Sequence, residues 1–419
     1  MSTGVDKMSE EKSLEKQMWR PVITERRWNW IVSGIVNFVI VFIVALVFWY
    51  VFMDWRFSMF YWMGWLFLGS AVAGWGILLV VMQIWFDHHF ASKLKGLFAQ
   101  GILGTILNFV GVAIIIAVFW FIVGPYMIPM FSPFALMNVS SIGGNWFLAL
   151  FLSSSAIGTI LSCGFSFAAI WAAGSIYYPF TELEQPKRGF AVMLIAAVIT
   201  TFTWLILYWP FQIATALPPT TTTVDWTIWT AWPFWAYDPI AGEVNNGGAF
   251  MSLAFTQWVI VFGLLTMMTW EYQPWKALRK QPWIGVAALA GCTLLGGLFA
   301  FLIMPTLLAG ILATLGFAAM HGYSAWIAVF IVLNIFIWTQ YFGNWPSRYN
   351  MFVNILIRTI IVVVLGILSL FLYFFVSPIL FGDFLLTGVY NPVNWVLWLL
   401  WAMLIHVYLW KRAPGWKSV

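Results

Sequence analysis

Residues 352–376 read FVNILIRTIIVVVLGILSLFLYFFV, an apolar run that contains one charge, at Arg358. A helix formed by this run is long enough to cross about 30 Å of hydrocarbon. A charge at that depth costs at least about 2.5–3.5 kcal/mol on insertion scales, so it needs a partner or a function. Asn350, Asn354 and Arg358 follow one another at four-residue steps and share one helix face. We expect this face to point into the protein, toward a cavity or another helix.

The composition extends this conclusion to the rest of the chain. Of its 419 residues, 63% are hydrophobic and 8% are charged, whereas a soluble domain carries about 25% charged residues. The 30 Trp and 14 Tyr residues suit the interface between hydrocarbon and headgroups. The net charge of +5 does not indicate nucleic-acid binding, because the placement of the basic residues follows the orientation of the chain in a membrane. We therefore predict the lipid bilayer, and no nucleic acid, as a partner.

The apolar runs predict an all-α fold, a polytopic integral membrane helical bundle of about ten transmembrane helices. The ranges of these predicted spans are 29–52, 59–85, 97–123, 146–174, 190–209, 250–270, 284–304, 324–342, 352–376 and 394–410. Residues 306–322 are also apolar but contain Gly310, Gly316 and Gly322. They fit either a re-entrant segment or an extension of the seventh span.

Basic residues indicate the orientation of these spans. With the N-terminus in the cytoplasm, all of the 19 Lys and Arg residues except Arg56 and Arg358 fall on the cytoplasmic side. This bias predicts cytoplasmic N- and C-termini, an even number of spans and a location in the inner membrane. Residues 1–28 form a cytoplasmic segment without the pattern of a cleaved signal peptide, 29–410 the transmembrane domain and 411–419 a cytoplasmic tail.

The cytoplasmic turn at 85–90 lacks proline and fits a common pattern less well, but four other turns on that side share aromatic residues and proline. They are Trp19-Arg20-Pro21, Tyr178-Pro179-Phe180, Tyr272-Gln273-Pro274-Trp275 and Trp345-Pro346. A helical hairpin used several times would produce this pattern. Independent hairpins also acquire aromatic belts and prolines that stop helices, so both interpretations stay open.

The longest loop, 210–249, lies on the far side of the membrane. Tryptophan recurs there at every third position, and Pro233 interrupts the series, so a stable helical stripe is not expected. The segment fits a position in the outer interface. An aromatic lid over a binding site is the alternative. The tryptophans are Trp226, Trp229, Trp232 and Trp235.

One ionisable cluster and the absence of known motifs bear on catalysis. Asp87, His88 and His89 are the weak candidates for a metal site, because imidazole binds transition metals. Adjacent histidines on a helix point about 100° apart, however, and rarely bind one metal together. We predict no metal site, leave the cofactor unknown, and find no catalytic signature, so an enzyme is the less favoured class.

Uncharged polar side chains inside the predicted spans are the best candidates for a site, since lipid offers them no partners. No carboxylate lies in the middle of a predicted span, which favours a neutral or anionic solute. Arg358 has three interpretations: it reaches the headgroups, it holds an anionic group or a quinone-like carbonyl, or it pairs with Glu271 or Asp87. The predicted substrate-binding or pore-lining residues are Arg358, Asn354, Asn350, Asn334, Gln340, Asn108 and Gln257.

Three functions fit these features. The first is an integral membrane permease or channel for a small neutral or anionic solute. The second is a membrane-embedded, quinone-interacting subunit or scaffold of a multi-subunit complex, and the third is a membrane-embedded enzyme that acts on lipid. Packing of exposed Trp and Phe side chains would suit a homo-oligomer or other membrane subunits as partners.

Overall fold

The structure, a computed structural model, describes most of the apolar segments of the chain. The described residues are 28–54, 56–57, 66–118, 121–122, 164–203, 246–278, 280–312, 317–381 and 392–413. Every regular element among them is a helix. Six of these helices are long and apolar enough to cross a membrane. The chain therefore has the character of a multi-pass membrane protein.

The helices are numbered α1 to α10 in chain order. They are α1 (Trp30–Phe52), α2 (Leu66–Trp85), α3 (Leu97–Val118), α4 (Phe165–Ser175), α5 (Lys187–Thr203), α6 (Asn246–Leu264), α7 (Trp283–Leu298), α8 (Phe317–Phe336), α9 (Met351–Phe381) and α10 (Pro392–Leu404). Asparagine caps two of them: Oδ1 of Asn29 accepts from the backbone N of Ile31, and Oδ1 of Asn350 from that of Val353, at 3.0 and 2.9 Å.

The even-numbered helices α2 to α10 form an inner set and the odd-numbered helices an outer set. In the most apolar stretch of α10, 78% of the residues are buried, against 22% in that of α9. The outer helices expose large aliphatic side chains such as Ile43 and Ile106 along their length. That exposure suits a surface that faces lipid.

The inner helices form a closed ring in chain order. The Trp85 ring of α2 lies 5.4 Å from the Phe165 ring of α4 between centroids, and the Phe167 ring of α4 lies 6.0 Å from the Phe255 ring of α6. Helix α6 packs along α8, α8 packs against α10, and α10 packs against α2, which closes the ring.

Each outer helix packs in the groove between two neighbouring inner helices. An outer helix directly follows its inner helix in the pairs α2–α3, α4–α5, α6–α7 and α8–α9. The fifth pair consists of α10 and α1, which are the last and the first described helices. No hairpin within the described residues joins this pair, so contacts with its neighbours hold it in the ring.

The same backbone turn ends all five inner helices. Two consecutive residues there have positive φ, a conformation that is uncommon outside glycine. These pairs are Asp87-His88, Ile176-Tyr177, Glu271-Tyr272, Gly343-Asn344 and Lys411-Arg412. We call the end of the ring that carries these pairs the turn end.

The turn is repeated in more detail in α6, α8 and α10. Each of these helices passes into a π-helical turn that ends one residue short of its positive-φ pair, and single π turns are rare in proteins. The three π turns are Leu265–Thr269, Ile337–Tyr341 and Ile405–Leu409. Recurrence of one irregular turn at one place in several helices supports a repeated helical hairpin.

The segment between the seventh and eighth predicted spans is now placed in part. Helix α7 continues through a π turn, Phe299–Ile303, and a last helical stretch, Met304–Leu312. Helix α8 begins at Phe317. Residues 306–312 therefore extend the seventh helix. The Trp-rich part of the predicted loop 210–249 lies outside the described residues.

Candidate functional site

Arg358 lies on the outer helix α9, where it is buried at the turn end of the ring. It contacts the turns that follow α6 and α8. Its side chain is 4% exposed. Nε donates to the carbonyl of Pro346 at 2.8 Å, and Nη1 donates to the carbonyl of Thr269 at 3.1 Å. Nη1 also lies 3.1 Å from the Glu271 carboxylate. Of the three interpretations of this residue, the observed contacts match the ion pair with Glu271, and any role toward a solute stays a prediction.

Just before two other outer helices, a glutamine donates to the carbonyl that occupies the position of Thr269 in another inner helix. The amide of Gln185, just before α5, donates to the carbonyl of Trp85 at 2.9 Å. The amide of Gln281, just before α7, donates to the carbonyl of Gly174 at 3.1 Å. Trp85, Gly174 and Thr269 each stand two residues before a positive-φ pair. Carbonyls at helix ends lack partners within the helix, so Arg358 supplies the bond that glutamine supplies elsewhere in the ring.

Three more of the predicted site residues have protein partners near α8 and α9. The amide of Asn354 bonds the backbone of Tyr349 through both of its polar atoms, and Asn350 caps α9. Asn334 donates to the carbonyl of Phe330 at 2.9 Å and to the Ser369 hydroxyl at 3.1 Å. These amides join helix to helix or helix to turn, and their predicted role in a solute path is not tested by these contacts.

The remaining polar contacts connect separate helices. Asn108 donates to the carbonyl of Gly76 at 3.0 Å and accepts from Nε1 of Trp401 at 2.7 Å, which links α3, α2 and α10. Gln340 accepts from Arg412 at 3.1 Å across α8 and α10. The structure therefore spreads these amides around the ring and does not bring them together in one site.

Gln257 differs from the other predicted residues because it faces a cavity on the axis of the ring. This cavity has a volume of about 140 Å³ and is lined by all five inner helices. Its walls include Leu78 of α2, Ile170 of α4, Val332 of α8 and Leu400 of α10. Gln257 itself lies on α6 and is 3% exposed. Within the described residues, its amide has no hydrogen-bond partner.

The apolar lining of this cavity was not predicted from the sequence, although one signal for it exists. Ile260, Val332 and Leu400 line the cavity from three helices, and each stands the same number of residues before the positive-φ pair of its helix. An alignment of the predicted spans with one another at these turns places the three residues at one common position. Single apolar residues in apolar helices carry no signal of their own, and so they were missed.

The cluster Asp87-His88-His89 forms part of a turn. The Asp87 carboxylate accepts a hydrogen bond from Gln185 at 3.1 Å and pairs with Arg188. The pKa of His88 is lowered to about 4, mainly because the side chain is buried. The nearby Asp87 carboxylate raises this pKa and Lys411 lowers it, but burial has the larger effect. In the part of the chain that the structure describes, no group of three or more His, Cys, Asp and Glu side chains could hold a metal ion.

We expect the stability of the protein to fall between pH 6.5 and pH 4 in part because of His88. The folded protein keeps this ring neutral down to about pH 4, whereas the unfolded chain binds a proton below its ordinary pKa of 6.5. Protons therefore favour the unfolded chain in that window. His88→Gln should give a shallower fall than His89→Gln when unfolding is followed against pH. Equal slopes in the two variants would contradict this expectation.

No protein family model, no curated protein and no solved structure matches this chain. Its function therefore has to follow from the geometry of its own residues.

Proposed function

We propose that this chain is an inner-membrane protein in which ten helices cross the bilayer, eight as four hairpins and two as the pair α10–α1, with the turn end and both termini in the cytoplasm. Basic residues gather at the turn end, as the charge bias of cytoplasmic loops requires. Those in the described part are Lys93, Lys95, Lys187, Arg188, Lys276, Lys280, Arg348, Lys411 and Arg412.

Within this arrangement, the chain acts as a permease or channel for a small neutral solute along the axis of the ring. The observation that carries this proposal is the cavity that all five inner helices line. An internal site with apolar walls and few polar groups is the usual form of a small-molecule site. The described lining contains no basic or acidic side chain, and a charge left there without a partner would be costly. A neutral solute therefore fits better than an anion.

Gly74 gives a direct test of this path. It lines the cavity, and an added Cβ there has nothing within 4 Å. Gly74→Leu should therefore fill the axis without forcing helices apart. We expect vesicles with the wild-type protein to swell faster than empty vesicles in at least one of urea, acetamide, glycerol and short alcohols. The Gly74→Leu protein should return swelling to the rate of empty vesicles.

Gly310 provides the matched control for this experiment. An added Cβ at Gly310 also meets nothing within 4 Å, but this residue lies on the outer helix α7, away from the axis. Gly310→Leu should leave the swelling rate unchanged. The axial path would be rejected if the wild-type protein accelerated the entry of none of these solutes. Equal effects of the two leucine variants on the swelling rate would also reject it.

A second candidate is a membrane subunit that binds an isoprenoid quinone, and a groove on the outer surface favours it. Helices α1 and α3 flank α10 there and leave a pocket of about 320 Å³ that adjoins another of about 380 Å³. Phe109, Trp398 and Trp401 line both. The native mass and absorbance spectrum after mild extraction test this candidate. A lone chain or homo-oligomer without a bound quinone would count against it.

A further inference from the structure

Gln257 is an exception within the repeated ring. Val329 of α8 and Leu397 of α10 stand the same number of residues before their turns as Gln257 does, and both also line the axial cavity. At this level of the ring, two helices thus present an apolar side chain to the cavity where α6 presents an amide. Val329 and Leu397 pack without a polar group, so the repeated ring does not require one at this position.

Gln257 and Asn37 of α1 are the two buried amides in the described part of the chain that have no hydrogen bond to the protein, and of the two only Gln257 lines the axial cavity. Asn108, Asn334, Asn354 and Gln340 each bond to the protein, whereas the Gln257 amide has no hydrogen-bond partner among the described residues. A buried polar group without a hydrogen bond costs about 1–3 kcal/mol, so each such group in a folded protein needs a reason. A partner that enters the cavity from outside would supply the missing bonds.

The volume and the apolar walls of the cavity indicate the size and the chemical character of that partner. A dry apolar cavity of about 150 Å³ admits a molecule of the size of benzene, and the axial cavity measures about 140 Å³. Ile260, Val332 and Leu400 offer only apolar contact. The amide can donate to a carbonyl or accept from a hydroxyl.

We infer that Gln257 is the polar anchor of a binding site for a small, uncharged and mainly apolar molecule with one hydroxyl or carbonyl group. This inference rests on the axial cavity proposed above as the solute path and adds the chemical class of the solute. The apolar walls hold the body of the molecule, and the Gln257 amide holds its polar group. A site built to bond a polar group discriminates against an analogue that lacks it, because the amide is then left unpaired.

Two probes of nearly equal shape test this site. The full chain in nanodiscs is titrated with 4-fluorophenol and 4-fluorotoluene, and saturable binding is followed by fluorine NMR after correction for partition into empty nanodiscs. We expect the wild-type protein to bind the phenol about tenfold more tightly than the toluene. In Gln257→Met, which keeps the length of the side chain but not its amide, this preference should disappear. Gly74→Leu should abolish saturable binding of both probes.

The thermal stability of each variant shows whether loss of binding reflects loss of the fold. Gln257→Met should be as stable as the wild type or more stable, because it removes a buried group that lacks a bond. The second variant, Gln257→Leu, introduces the residue type that α10 has at the equivalent position, Leu397. It should behave in the same way as Gln257→Met. Equal wild-type affinity for the two probes, no saturable binding, or a preference that survives both substitutions would overturn the inference.

The swelling experiment separates this inference from the proposed function. Solute flux that Gly74→Leu blocks, without a preference for the phenol, would leave the path standing and reject the role of Gln257. A preference for the phenol that depends on Gln257, without any solute flux, would leave the binding site standing and reject transport.

Discussion

Replacing Arg358 with alanine is expected to lower the free energy of unfolding by about 3 kcal/mol, because the change removes a buried charged donor from several acceptors at once. The carbonyls of Thr269 and Pro346 would lose their bonds to the guanidinium. Glu271 would lose its ion pair, which adds little because its side chain is 39% exposed. Titration with SDS in mixed micelles, followed by tryptophan fluorescence, measures the change.

Two other substitutions give this experiment its controls. Arg348 is exposed and contacts the neighbouring Tyr349, so Arg348→Ala should change stability by less than about 0.5 kcal/mol. Glu271→Gln should also have a small effect, because Arg358 keeps its bonds to both carbonyls. If Arg358→Ala were as stable as Arg348→Ala but lost solute flux, the main role of Arg358 would lie with the solute.

The sequence located Arg358 correctly in one respect and could not go further. Four-residue spacing predicted that Asn350, Asn354 and Arg358 form a face directed into the protein. Asn354 and Arg358 are buried, whereas Asn350, which caps the helix, is exposed. Glu271 was among the partners considered. The bonds to the carbonyls of Thr269 and Pro346 were not, since they depend on two turns that the sequence does not place side by side. The similar roles of Gln185 and Gln281 depend on where their acceptor carbonyls stand relative to the positive-φ pairs, and the sequence alone does not show these pairs.

The ring illustrates a second limit of the sequence. Aromatic and proline residues marked several turns, but the turn at Asp87-His88 lacks proline and fitted the pattern poorly. Its backbone nevertheless has the same pair of positive φ values as the other four turns. The pairing of α10 with α1 carries no local signal at all, because it joins the two ends of the described chain. Six helices satisfy the length and hydropathy expected of a membrane span, so the count of ten stays a prediction.

Among the predicted site residues, the sequence could not separate amides that bond to protein from an amide that faces a cavity. Asn108 and Gln257 look alike in sequence, since each is one amide in an apolar run. Asn108 finds its partner in Trp401, which is 293 residues away along the chain. Gln257 lies among apolar side chains from four other helices. Only the packing of the ring distinguishes the two.

Replacing Gly76 with alanine should have the other large effect, because this glycine allows α10 to approach α2. An added methyl group would overlap the indole ring of Trp401. That indole donates to Asn108, which in turn donates to the carbonyl of Gly76. Overpacking costs about 1–3 kcal/mol, and buried polar groups left unpaired cost about as much again. We expect a loss of about 2–5 kcal/mol in the free energy of unfolding.

Gly74 is the matched control on the same helix, because an added Cβ there meets nothing within 4 Å. Gly74→Ala should be neutral or stabilise the protein by about 0.5–1 kcal/mol, as expected for alanine in a helix. Equal stability of the Gly74→Ala and Gly76→Ala proteins, measured by SDS titration, would contradict close packing of α2 on α10.

Combining Gly76→Ala with Trp401→Leu identifies the cause of the loss. If the methyl group acts by displacing the Trp401 indole, a smaller side chain at position 401 relieves the overlap, and the double variant should lose less stability than the sum of the single variants. Additive losses would place the cause elsewhere in α2. Since α10 is held in the ring by contacts and not by a described hairpin, displacement of Trp401 should also loosen its pairing with α1. Limited proteolysis should then cleave the Gly76→Ala protein near α10 faster than the Gly74→Ala protein.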